Sequence, residues 1–254
     1  MTLILTELSP LGIAMAADSA VTYTHHHTGM AWAVPNQARK LQVIPHLNAG
    51  ISCWGMGAIG GTPTDQWLTT FIQTNTAITT LQGFASALAT QLNAMVGPNS
   101  NGQERLGFHL AGFESLNGIL FPSFFHIHDG PSTVLQSRRI NVNPSQFNAN
   151  HDMPPHLCQQ ILARGDAYMT RNGDYQLYAN LFLLLEQFFG QLQNLGVIVP
   201  NSQNIADRAE YLVFQIRTIS EIYRLSNLVP GIGGSISYLA IVPAGIHTQG
   251  VKWL

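Results

Sequence analysis

The chain has 254 residues, a formal net charge of −2 and only 9% charged residues. That balance argues against nucleic acid and anionic membranes as partners, because both demand a basic surface. Typical domains carry roughly 25% charged residues, so the surface here must be built from neutral polar groups, which suits extensive subunit contacts. A compositional bias without functional meaning would look the same.

The length is read as one domain covering residues 1–254, large enough to bury a core without disulfides or structural metals. Two cysteines, Cys53 and Cys158, lie outside any pairing motif, which points to a reducing compartment and hence the cytoplasm. No secretory signal is expected, since LILTEL is short and lacks a basic flank. The most apolar run, LYANLFLLLEQFFGQL, is broken by Glu186 and Gln187 and reads as a buried helix rather than a membrane span.

Residues 3–8 alternate and predict a strand, Ser9-Pro10 a turn, and 12–17 a buried returning strand ending at Asp18. The separation from Thr2 to Asp18 is 18 − 2 = 16 residues with the turn near its midpoint, so the hairpin returns Asp18 to the side of Thr2. Removal of Met1 would give Thr2 both a hydroxyl and a free α-amine. Such a threonine can attack an amide with its own amine as proton acceptor, since an ordinary terminal amine has a pKa of about 7.7–8.0. A partly buried Asp18 needs a cation. Lys40 is the candidate, and a lysine beside the threonine would favour ionisation of the hydroxyl.

The stretch THHHTGMAWAVPNQA reads as a loop, with His25, His26 and His27 better explained as an exposed loop than as a metal site. Residues 39–44 form a strand ended by Pro45. AGISCWGMG is a further buried strand running into a glycine-rich turn, where Gly55 can present a backbone N–H to an oxyanion. Helices are expected over 62–78 and 83–95, then a hairpin of 106–113 and 119–128. His126 and His128 share one strand face, and a hydrogen-bonded structural role fits them better than metal binding. Residues 129–155 read as loop with at most one short strand. Two helices over 177–195 and 205–226 follow, then a strand over 235–242 and a short last one. Paired helices separated by antiparallel strands predict an α+β sandwich of two sheets with helices outside, four layers αββα.

This order, with LGIAMAADSAVT, ARKLQVI, AGISCWGMG, FHLAGFE, FFHIHDG and GIGGSISYLAIVPAGI, resembles the proteasome β-subunit superfamily of N-terminal-nucleophile (Ntn) hydrolases over most of the chain. Among these it is similar to the propeptide-less bacterial members such as the ancestral-β-subunit (Anbu) group. The resemblance implies a threonine endopeptidase without cofactor or metal. Thr2 would be nucleophile and terminal base, Asp18 and Lys40 would set its ionisation, and the Gly55 amide would line the oxyanion site. Val21 and Cys53 would bound the first specificity pocket, expected to take uncharged side chains, although Cys53 fits core packing equally. The implied partners are further copies of the chain in a ring or helical assembly, a peptide or protein substrate and an unfoldase. An inactive scaffold, or an amidase or transpeptidase on the same fold, are the other readings.

Two departures from the family pattern stand out. The segment between Asp18 and Lys40 is longer, and the closing turn carries Val229 and Ile232 where the family has an aspartate and a serine. A supporting polar residue is sought in 163–168, with Arg164 and Asp166 as the two candidates.

Overall fold

The structure, a computed structural model, describes residues 2–24, 31–98, 105–130, 146–173, 175–198, 203–226 and 231–253. The histidine run 25–27 and Val229 lie outside the described residues.

Strands β1 (Leu3–Ser9) and β2 (Gly12–Asp18) form the expected hairpin, with Ile4 opposite Ala17 and Ser9 opposite Gly12. They are flanked by β12 (Tyr168–Gly173) on one side and by β13 (Ile236–Val242) and β14 (Gly245–Lys252) on the other, giving the order β12-β1-β2-β13-β14. The second sheet runs β11 (Asn148–Met153), β10 (Ile119–His128), β9 (Leu106–Leu116), β6 (Ala49–Gly55), β5 (Leu41–Ile44).

The period-two alternation of β1 explains the layering. Ile4 and Leu8 join Ile13, Met15, Leu239, Trp54 and Phe124 in a core between the sheets. Leu3 and Leu5 face the other way, into a core with α5 (Ile205–Leu225) and Phe182 of α4 (Tyr175–Asn194). On the second sheet, Ile51, Phe108, Leu110, Phe125 and Ile127 meet α1 (Thr64–Thr74) and α2 (Leu81–Val96). Three cores between four layers make the αββα sandwich.

Two buried polar links hold the layers in register. The Thr6 hydroxyl lies 3.1 Å from His109 Nδ1, and His109 Nε2 lies 2.7 Å from Asn172 Oδ1, so one imidazole joins β1 and β12 to β9 across the central core. Glu7, fully buried on the helix side of β1, is gripped by both nitrogens of the Arg208 fork from α5. A bidentate guanidinium offsets the desolvation of that carboxylate.

Several expectations need correction. The stretch expected as loop contains strand β4 (Ala31–Val34), which pairs with β3 (Val21–Thr24) just before it, supported by stacking of Tyr23 on Trp32 with ring centroids 5.7 Å apart. Between β11 and β12 a short helix, α3 (Pro155–Leu162), puts Cys158 into the central core. β12 was not expected as a strand: YMTRNG has no clean alternation, and pairing with β1 supplies what its sequence lacks. β14 is eight residues long, not short. Finally, α4 is not a buried helix: Phe182 and Phe189 face the core, while Leu183, Leu184 and Phe188 are more than half exposed. The helix is apolar around more of its circumference than one neighbour can cover.

Candidate active site

All the residues in question sit at one end of the sandwich, because antiparallel neighbours bring alternate strand starts and ends together. Thr2 precedes β1, Asp18 ends β2, Gly173 ends β12 and Ile236 begins β13. On the facing sheet Lys40 precedes β5, Gly55 ends β6 and Leu106 begins β9.

Asp18 is the hub. Its Oδ1 accepts from the Leu3 N–H at 2.9 Å and from Lys40 Nζ at 2.9 Å. Its Oδ2 accepts from the N–H groups of Ala20 at 3.1 Å and Gly233 at 3.3 Å. Lys40 Nζ also donates to the Ala20 carbonyl at 2.5 Å. The pair is buried, with side-chain exposures of 0% for Asp18 and 6% for Lys40, so its stability depends on this full set of hydrogen bonds. The register carries Lys40 there: Leu41 lies opposite Ser52, and the Cys53 N–H donates to the Lys40 carbonyl at 2.9 Å.

Thr2, buried at 6% exposure, lines a cleft of about 490 Å³ including its open mouth. Lys40, Gly55, Val21 and Cys53 line the same cleft, so the structure brings together the residues singled out from sequence, with Asp18 behind Lys40. Asp65, at the start of α1, is a further lining residue and makes the cleft less neutral than expected.

Gly55 has a physical reason to be glycine. Its φ is +96°, and a Cβ there would lie 2.9 Å from the Arg105 carbonyl carbon and closer still to its oxygen. The turn beyond it is tied down by the Met56 N–H donating to the Arg105 carbonyl at 2.8 Å and by the Thr64 hydroxyl donating to the Met56 carbonyl at 2.6 Å. Arg105 is anchored in turn by Asp129, fully buried, through Nε–Oδ2 at 2.6 Å and the Arg105 N–H at 2.9 Å.

Three features escaped the sequence reading. Gly173, at φ +127°, packs its α-carbon so close to Thr2 that a Cβ would lie 2.6 Å from the Thr2 carbonyl carbon. The Asn-Gly dipeptide at 172–173 was the available signal. Asn36, in the left-handed region at φ +59°, accepts at Oδ1 from the Ser19 hydroxyl at 3.2 Å and from the Ser235 N–H at 2.5 Å. The Pro35-Asn36 turn hinted at it. Gly233 accepts at its carbonyl from the N–H groups of Ser19 and Ala20, so the closing turn reaches the site through its backbone.

Ile232 contributes no polar group to that turn; its side chain is buried in the core with α5. Arg164 and Asp166 are exposed in the turn before β12. Because Leu8 pairs with Tyr168 and Leu3 with Gly173, they lie beyond the far end of β1 from Thr2, so neither supports it. His126 and His128 are buried between the sheets with ring centroids 4.3 Å apart, and His128 Nε2 lies 3.1 Å from Asn150 Nδ2. Among the described residues no group of three or more His, Cys, Asp and Glu is arranged to hold a metal, and no helix is long and apolar enough to cross a membrane.

Two antiparallel sheets between helix layers, with the chain's beginning drawn into a cleft at the end of the sandwich, define the proteasome β-type, Ntn-hydrolase fold. The structure of the Anbu (Gly-1) mutant from Hyphomicrobium sp. strain MC1 superposes on the whole of this chain and 87% of its own, with a TM-score of 0.55 and 12% sequence identity. At that identity the likeness concerns the fold. No protein-family model and no curated protein matches the sequence.

Proposed function

We propose that the chain, as one domain over residues 1–254, is an N-terminal threonine endopeptidase that works through an acyl-enzyme on Thr2. Loss of Met1 frees the Thr2 amine. The Thr2 hydroxyl attacks the scissile carbonyl while that amine takes its proton. The Lys40 ammonium, fixed by Asp18, favours the developing alkoxide, and the Gly55 N–H receives the oxyanion. The amine returns the proton to the leaving amine, and water then releases the acyl group with Thr2 restored.

The observation that carries this reading is the common cleft of Thr2, Lys40 and Gly55 with Asp18 clamping the lysine. The apolar outer face of α4 supports a homo-oligomer, ring or helical, because exposed leucines and a phenylalanine in one patch are suited to a second copy. The substrate would be peptide or protein, the compartment the cytoplasm.

Intact-mass spectrometry first establishes whether Met1 is removed. A peptidyl electrophile directed at N-terminal threonine should then label the protein at Thr2, fail on Thr2→Ala, and react about a hundredfold more slowly on Lys40→Ala. Quantitative retention of Met1, or labelling that survives Thr2→Ala, refutes the mechanism. A catalytically silent scaffold is the second reading, favoured by Ile232, whose buried side chain gives the closing turn no polar group toward the amine. Sedimentation showing assemblies without any labelling would select it. Cleavage of simple amides but not peptides would select an amidase.

A further inference from the structure

The cleft around Thr2 holds two charged side chains, and they differ in their surroundings. Lys40 is compensated by Asp18 at 2.9 Å. Asp65 has no cation paired with it among the described residues. Its carboxylate is fixed instead by backbone: Oδ2 accepts from the Arg39 N–H and Oδ1 from the Gln66 N–H, each at 3.0 Å. A carboxylate oxygen with one such bond keeps a lone pair for a second donor. The group is therefore immobilised, half-buried and still able to accept.

Its field reaches the cleft wall. Burial pushes the Cys53 thiol up to about 12, the Lys40 charge pulls it down, and the Asp65 charge pushes it up ahead of Asp18. The rest of the lining mixes apolar side chains, among them Ala20, Val21 and Ala38, with the neutral hydroxyls of Thr22 and Thr64. Uncharged walls that carry one uncompensated acid match a side chain with an aliphatic stem and a cationic tip.

The geometry of attack connects this acid to substrate. A carbonyl held between the Thr2 hydroxyl and the Gly55 N–H has its acyl-side α-carbon one bond away. The side chain on that carbon must enter what is left of the same cleft.

We infer that Asp65 selects lysine or arginine as the residue on the acyl side of the cut, a reading that rests on the threonine-peptidase function proposed above. It replaces the preference for uncharged residues expected from Val21 and Cys53 alone.

The test uses the full-length protein and three peptidyl electrophiles that differ only in that residue: lysine, the neutral isostere norleucine, and glutamate. Labelling rates at Thr2 are followed by intact mass. The lysine probe should react about tenfold to a hundredfold faster than norleucine, the range of a charge-assisted hydrogen bond, with glutamate slowest. In Asp65→Asn the lysine-to-norleucine ratio should fall toward one. In the wild-type protein, raising the salt concentration should lower the same ratio while leaving the norleucine rate in place, so the proposal is testable even if the variant does not fold. Equal lysine and norleucine rates in wild type, or an unchanged ratio in Asp65→Asn, would overturn the role of Asp65 while the peptidase reading stands. No reaction with any probe, with Thr2→Ala indistinguishable from wild type, would overturn both.

Discussion

Gly173→Ala tests whether the position of Thr2 is set by the neighbouring strand. Gly173 ends β12 at φ +127°, a region that residues with a Cβ rarely occupy, and the added methyl would lie 2.6 Å from the Thr2 carbonyl carbon and 3.2 Å from the Leu3 α-carbon. Both neighbours are backbone, at the first residue of β1 and the one before it, so no flexible side chain can yield. Overpacking costs about 1–3 kcal/mol and the strained backbone about as much again, giving about 2–6 kcal/mol together. For a chain of this size each kcal/mol lowers Tm by about 2–4 °C, so a fall of about 5–20 °C is expected by calorimetry. The strain relaxes by separating the end of β12 from Thr2, which removes the contact that holds Thr2 in place. A displacement of about 1 Å at a nucleophile lowers the rate about a hundredfold, so threonine-directed labelling should drop with the melting temperature. Gly190→Ala is the control: it lies inside α4 with nothing within 4 Å of a new methyl, so it should leave labelling in place and raise Tm slightly, alanine being the better helix former. If Gly173→Ala melts and labels like wild type, the contact does not position Thr2.

Three further outcomes are expected. Arg105→Ala removes the cation from the fully buried Asp129 and loosens the turn that carries Gly55; a loss of about 3 kcal/mol and slower labelling are expected, whereas Arg224→Ala, which breaks an exposed pair with Glu221, should change neither. Burial raises the thiol of Cys53 to about 12 and that of Cys158 to about 11 from an ordinary 9.0, so both stay protonated and should resist iodoacetamide at pH 8 until the protein unfolds. Because the folded state holds these protons more tightly, that stability is complete below pH 9 and declines from pH 9 toward 12 as the unfolded thiols ionise; unfolding free energies that rise over that range would contradict the assignment.

Much of the site was legible because it is carried by strands whose patterns are local. The β1–β2 hairpin has a clear turn and two apolar arms, so its register returns Asp18 to the start of the chain without reference to anything else. Lys40 and Gly55 flank strands ended by a proline and a glycine, and those boundaries are written in residue type. Asp65 was legible only as a helix-start residue. That it lines the cleft depends on how the start of α1 docks beside β5, where the Gln42 amide donates to the Asp65 carbonyl at 2.7 Å, and no local pattern encodes that.

By itself, then, the sequence determined most of the strands and the four long helices, how many layers they need, and which residues stand at the ends of β2, β5 and β6. Periodicity and turn chemistry act over a few residues and can be read that way. Only the tertiary structure decided that YMTRNG becomes an edge strand beside β1, that Gly173 presses on Thr2, that Asn36 and Gly233 brace the loop after Asp18, and that one face of α4 stays uncovered. Each of these depends on a partner more than a hundred residues away or on the finite area that a neighbouring layer can bury, and such long-range packing leaves no mark on the local order of residues.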